Sequence, residues 1–283
     1  MWQERIAQVQ RDADVWRDIL AVRYLAVPPE KDPRTWLKYC SLCRKAGHCA
    51  LSSKLLAHLL SANTALSWEG SGRVSAEVGF DGVDPAIALA HLKQLWADGD
   101  RQRALELMLD FVHLPALAQD HHLAAKAWLK LGEWQRALME VQGLDVHGVT
   151  VVEESFRQAA AANPESYKAW HSFAMINFDA VSLCQDPAYV VPAIGGFVRS
   201  IALGRDRALQ DTLRLLTLWF KYGASTAVDD AVQQGFDAIP IDTWLLVTPQ
   251  IIARIHTPTP LVRRSVHNLL NRVAKAHPQG LIY

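Results

Sequence analysis

Apolar residues recur at intervals of three and four along almost the whole chain. Ile6, Val9, Ala13, Trp16 and Leu20 form the first such stripe and predict one helix with a single buried face, ending before Pro28 and Pro29. The same spacing predicts helices over residues 35–46, 49–60, 85–97, 101–113, 121–131, 134–141, 152–162, 165–183, 190–203, 208–222, 227–239, 243–255 and 261–276. Gly47, Gly99, Gly132 and Gly223 fall between them, as residues free to take positive φ where a helix stops and the chain turns back. Pro85, Pro164 and Pro260 stand near helix starts, where a missing N–H costs nothing. No stretch alternates long enough to make a strand, Val149 to Val152 being the nearest candidate. The pattern predicts an all-α fold. It divides into helical repeats over 1–61, a long Gly-rich surface loop over 62–83, and further repeats over 84–283.

An internal repeat sharpens this. Gly99-Asp-Arg-Gln-Arg-Ala-Leu105 and Gly132-Glu-Trp-Gln-Arg-Ala-Leu138 agree at five of seven positions and begin 33 residues apart, near the tetratricopeptide period. The segments beginning at Gly47 and Gly223 echo the spacing, and Asn163 to Trp170 has the Pro turn and Trp expected at the head of a helix pair. Such pairs cannot bury their own apolar faces, so the expected architecture is a tetratricopeptide- or HEAT-like α-solenoid of stacked antiparallel helix pairs. The ten tryptophans, Trp134 among them, then serve as wedges between helices.

Composition removes several functions. The 283 residues carry 29 Lys and Arg against 29 Asp and Glu, so there is no basic excess to suggest nucleic acid. Charged or Gln residues interrupt every apolar run before membrane-spanning length. The N-terminus is charged from Glu4 and lacks a secretory core, which points to the cytosol or nucleus. Cys40, Cys43, His48 and Cys49 crowd together as zinc ligands do in a knuckle, but no second pair follows and Cys184 stands alone; packing on a helix face is the favoured reading.

Catalytic signatures for nucleotide binding, zinc proteolysis, serine hydrolysis and protein phosphorylation do not occur, and Gly70-Ser-Gly-Arg73 lacks the spacing of a phosphate loop. Adjacent His121 and His122 point about 100° apart on a helix, which is poor for chelation. Glu153-Glu154 and Asp229-Asp230 fall in the first turns of predicted helices, where the dipole favours them. Lys126 and Lys130 at i, i+4, and Lys38 and Lys45 at i, i+7, share helix faces; spacing alone suggests solvated faces.

Several segments carry a family resemblance. Arg34-Thr-Trp-Leu-Lys-Tyr39, Leu129-Lys-Leu-Gly-Glu-Trp-Gln135, Tyr167-Lys-Ala-Trp-His171, Leu209-Gln-Asp-Thr-Leu-Arg214, Leu218-Trp-Phe220, Ile241-Asp-Thr-Trp244, Pro249 to Ile255, His277-Pro-Gln279 and Leu281-Ile-Tyr283 occur in this order. The chain resembles the FAT domain of target-of-rapamycin (TOR) kinases, within the PI3K-related family. The resemblance implies a fragment of a TOR serine/threonine kinase that is itself non-catalytic. It would form a helical cradle regulating the kinase domain in nutrient and growth signalling. The short stretch 182–189 after the Tyr-Lys-Ala-Trp helix resembles fungal members.

The resemblance also implies partners and a ligand. The partners are the rapamycin-binding and kinase domains of the parent polypeptide and the TOR complex subunits, in the cytoplasm and at vacuolar or lysosomal membranes, with neither nucleic acid nor membrane insertion. No cofactor is required, but inositol hexakisphosphate is implied as a structural ligand. Its basic site matches Arg11, Lys38, Lys45, Lys126, Lys130 and Lys168 and is expected to converge on one pocket. Lys126 stands where animal members have Arg, keeping the charge without the bidentate fork. The repeat alone would also fit a free-standing tetratricopeptide-like adaptor for peptides or proteins.

Overall fold

Asp12 decides where the first long helix begins. Its carboxylate accepts from the backbone N–H of Asp14 (2.9 Å) and Val15 (3.1 Å), so the helix starts at Ala13. The apolar stripe from Ile6 to Leu20 therefore spans a break at Val9 to Asp12 rather than one continuous helix. This computed structural model describes residues 5–6, 8–63, 80, 83–143, 145–204 and 208–281. Most of the expected Gly-rich loop, with Gly70, Gly72 and Arg73, lies outside the described residues, as do Ile282 and Tyr283. The described residues hold fourteen α-helices and no strand. They fall into two compact units, Met1–Leu123 and Ala124–Tyr283.

In the first unit, α1 (Ala13–Tyr24) buries Trp16, Leu20 and Arg23. The guanidinium of Arg23 pairs with Asp32, both about nine-tenths buried, tying the end of α1 to the start of α2 (Pro33–Lys45). Trp36, Tyr39, Cys40 and Cys43 form the inward stripe of α2. Burial pushes the Cys40 thiol up to about 12, so it stays protonated and packs as a small apolar group. Gly47 takes φ +85°, and α3 (Cys49–Asn63) turns back; the Ser52 hydroxyl donates to the Cys40 carbonyl at 3.1 Å. Next, α4 (Pro85–Ala97) packs on α2 and α3, and Gly99 at φ +99° leads into α5 (Arg101–Val112), which packs on α4.

The next helix, α6, is a single 22-residue helix (His121–Gln142). Gly132 is not a joint but lies inside it, which corrects the expected break between residues 131 and 134. A Cβ there would sit 2.6 Å from the ring of Phe156, itself only 2% exposed, so glycine serves close helix approach rather than reversal. Trp134 is buried, at 4% exposure, on an uninterrupted helix rather than in a turn. Overpacking of about 1–3 kcal/mol outweighs the helix propensity gained by alanine, about 1 kcal/mol. Gly132→Ala is therefore expected to lose up to about 2 kcal/mol in denaturant unfolding.

Beyond α6, Asp145 caps α7 (Val146–Ala162) by accepting from the Gly148 N–H at 2.7 Å. The cap draws Val149 to Val152 into helix, where Val149, Val152 and Phe156 share the buried face. Glu153 and Glu154 consequently lie in the middle of α7, not in its first turn. Then come α8 (Tyr167–Leu183), α9 (Val190–Gly204), α10 (Leu209–Tyr222) and α11 (Thr226–Ala238). Two short helices, α12 (Ile241–Leu245) and α13 (Thr248–Ile252), replace the single helix expected over 243–255, because Pro249 has no N–H to continue it. The last long helix is α14 (Pro260–Ala276). Gly223 ends α10 with φ −71°; what excludes a side chain there is the Trp219 carbonyl oxygen and the Val262 methyl, each 2.5 Å from a notional Cβ.

The helix pair α8–α9 is the centre of this unit. Residues 187–204 have the length and hydropathy of a membrane span, but Val190, Ala193, Ile194, Phe197 and Ile201 are core residues packed among α8, α10 and α11. One buried carboxylate ties three helices. Asp211, 1% exposed on α10, accepts from Ser200 of α9 (2.9 Å), from Nδ1 of His171 on α8 (2.9 Å) and from Arg214 one turn on (3.3 Å). The Tyr167 hydroxyl lies 3.5 Å away, its ring stacked on His171. Between α11 and α14, buried Asp229 accepts from Ser265 at 2.6 Å and from Arg264 at 3.3 Å.

Candidate anion-binding site

The six basic residues singled out by sequence divide three and three between the units. In the first unit, Arg34, Lys38 and Lys45 sit on the outward stripe of α2, spaced so that successive cations clear the buried Trp36–Tyr39–Cys43 face. Arg11, in the turn ahead of the Asp12 cap, faces the same cavity of about 510 Å³. That volume is within the range of about 300–1,000 Å³ usual for small-molecule sites. Thr35 and Ser41 add hydroxyls to the wall, and Trp16, also lining it, has a buried indole N–H with no hydrogen-bond partner among the described residues. No carboxylate is among the described lining residues, and none of the four cations pairs with a described acidic residue. Four like charges around one hollow repel one another, and an anion removes that repulsion.

Arg34 did not emerge as a candidate from sequence. Its signal was present, four residues before Lys38 on the same stripe. In this cavity it supplies the planar fork that suits phosphate oxygens, which lysine lacks.

In the second unit, Lys126 and Lys130 stand one turn apart on α6, and Lys168 opens α8. Lys130 and Lys168 meet at Glu133: Lys130 pairs with its Oε2, and Lys168 with its Oε1 at 2.5 Å. Burial works against the charge of Glu133, but the hydrogen bonds from the two lysines outweigh it and hold the carboxyl below its ordinary range. Lys126 is exposed and pairs with no described carboxylate. Beside the cluster, Arg136 of α6 is taken up by Glu140 (2.8 Å) and by Asp179 of α8 (2.9 Å). The structure thus gathers Arg11, Lys38 and Lys45 around one cavity, and Lys130 and Lys168 around one carboxylate. No cluster of three or more His, Cys, Asp or Glu side chains among the described residues has the geometry of a metal site.

Comparison with known proteins identifies the scaffold that carries these clusters. The family model of the FAT domain matches residues 1–217. All of the chain aligns with serine/threonine-protein kinase mTor of Drosophila melanogaster, at 36% identity over 321 residues, and with TOR of Arabidopsis thaliana, at 36% over 312. It aligns equally fully with tor1 of Schizosaccharomyces pombe, at 32% over 314, so identity does not favour the fungal relatives. The chain spans 12–13% of the length of these proteins. Among solved structures, the FAT and kinase domain of CtTel1 superposes with a TM-score of 0.63 over 87% of this chain and 20% of that one, at 15% identity, a likeness of fold. The chain belongs to the FAT domain family and is homologous along all of its length to target-of-rapamycin serine/threonine kinases.

Proposed function

We propose that the chain is a non-catalytic helical scaffold within a TOR kinase. It cradles and regulates the kinase domain of the same polypeptide in cytoplasmic growth signalling, offers surface to TOR complex subunits, and binds inositol hexakisphosphate through Arg11, Lys38, Lys45, Lys126, Lys130 and Lys168. The observation that carries the ligand is the cavity beside α2, with four cations and no carboxylate among its described lining residues. The scaffold reading is supported by whole-length homology to kinases of which the chain is about one-eighth.

Two measurements test this. Expressed apart, the chain should transfer no phosphate and should bind the kinase domain of a TOR polypeptide in trans; failure to bind favours the adaptor reading. Inositol hexakisphosphate at a hundred times its dissociation constant should stabilise the chain by about 2.7 kcal/mol, read as a rise in melting temperature. Lys38→Glu and Arg34→Gln should each remove more than half of that rise, whereas Arg263→Glu, on exposed α14 surface, should leave it intact. An unchanged rise in both cavity variants would refute the site.

A further inference from the structure

The two basic clusters differ in one respect: the cavity beside α2 has no carboxylate among its described lining residues, whereas the cluster on α6 and α8 already holds one. We propose that Glu133 is a built-in competitor for the polyanion, holding Lys130 and Lys168 through its two carboxylate oxygens and surrendering them when an inositol polyphosphate binds. The inference rests on the reading of Lys126, Lys130 and Lys168 as polyphosphate ligands and adds a regulator to that site.

The geometry supports it in three ways. Each carboxylate oxygen of Glu133 serves a different lysine, and the lysines come from different helices, so one side chain satisfies both ammonium groups. Glu133 is 28% exposed, Lys130 31% and Lys168 62%, so the lysines are open to an arriving anion while the carboxylate itself is the most sheltered of the three. Arg136, one turn on from Glu133, is engaged by Glu140 and Asp179 and so does not replace the lysines as its partner. Lys126, one turn before Lys130 and without a carboxylate partner among the described residues, is then the landing point for the first phosphate. A phosphate brings more charge and one more acceptor oxygen than a carboxylate, so a phosphate-dense ligand can take both lysines where a weak monovalent anion cannot. Glu133 would thereby set a threshold of charge density. It also offsets the repulsion between Lys130 and Lys168 while no ligand is bound.

The inference predicts opposite effects of one substitution. In the full 283-residue chain, Glu133→Gln should lower the melting temperature without ligand, yet tighten binding of inositol hexakisphosphate, measured by calorimetry, by about tenfold, since two part-exposed ion pairs need no longer be broken. Inorganic phosphate, expected to leave the wild type unshifted, should stabilise the variant. Glu133→Asp keeps the charge but is one methylene shorter; its affinity should fall between the two, and it carries the comparison if Glu133→Gln does not fold by circular dichroism. Binding equal to or weaker than wild type in the folded variant would overturn the competitor role while leaving the polyphosphate site standing. Absence of binding by the wild type would instead remove the site itself.

Discussion

Trp219→Ala is expected to destabilise the chain by about 3–5 kcal/mol, a fall in melting temperature of about 10 °C. Trp219 is fully buried near the end of α10. Its ring meets Phe236 of α11 edge-on at 5.5 Å, and Phe236 in turn meets buried Trp244 of α12 at 5.6 Å, so one aromatic line joins three helices. Removing the indole opens a cavity bounded by helices that cannot collapse without losing their other contacts. Trp219→Phe should lose far less, because a ring remains and the indole N–H it discards has no hydrogen-bond partner among the described residues. Chemical denaturation of the two variants checks both statements; equal losses would show that the ring is not what matters.

Asp211→Ala should cost about 3 kcal/mol. The carboxylate is the common acceptor for Ser200, His171 and Arg214, and truncation leaves Ser200, itself inaccessible to water, with only its bond to the Phe197 carbonyl. Asp211→Asn keeps the volume but turns an amide toward groups that are already donors, so it should rescue little. A shift in the unfolding midpoint of less than a fifth of that for Trp219→Ala would show that solvent replaces the carboxylate, and that it is not a structural tie.

Much of this was legible in the amino-acid order, and the failures have physical causes. Helix identity followed from apolar spacing almost throughout, since burial of one face is a local pattern. Boundaries failed where a single side chain overrode the pattern: Asp12 and Asp145 capped helices at positions their apolar neighbours did not mark, and Pro249 cut one in two. Gly132 misled because a glycine serving a close approach reads like one serving a turn; only the position of Phe156, 24 residues on, separates the two. Several segments quoted for the family resemblance prove to be contact partners. His277 pairs with Asp242 at 2.6 Å, and Tyr167 and His171 meet Asp211, pairings that spacing could not reveal.

The candidate site was half visible. Lys38 and Lys45 share a face by arithmetic, and Arg34 belongs to the same stripe. Arg11 came from resemblance alone, being in no regular element. Glu133 lay in full view three residues after Lys130, but its second lysine is 35 positions downstream, and only the packing of the fold brings the two together.

The position of α9 has a kinetic consequence. In a linear array each repeat touches only its neighbours, so unfolding can begin at an end and proceed stepwise. Here α9 packs on α8 and α10 and also, past α10, on α11. Losing α11 strips part of the α9 surface before α10 has moved, which penalises fraying from that side. Amide protons of α9 should therefore exchange with solvent only through opening of the whole α8–α11 block, making this stretch a single cooperative unit rather than a row of independent hairpins.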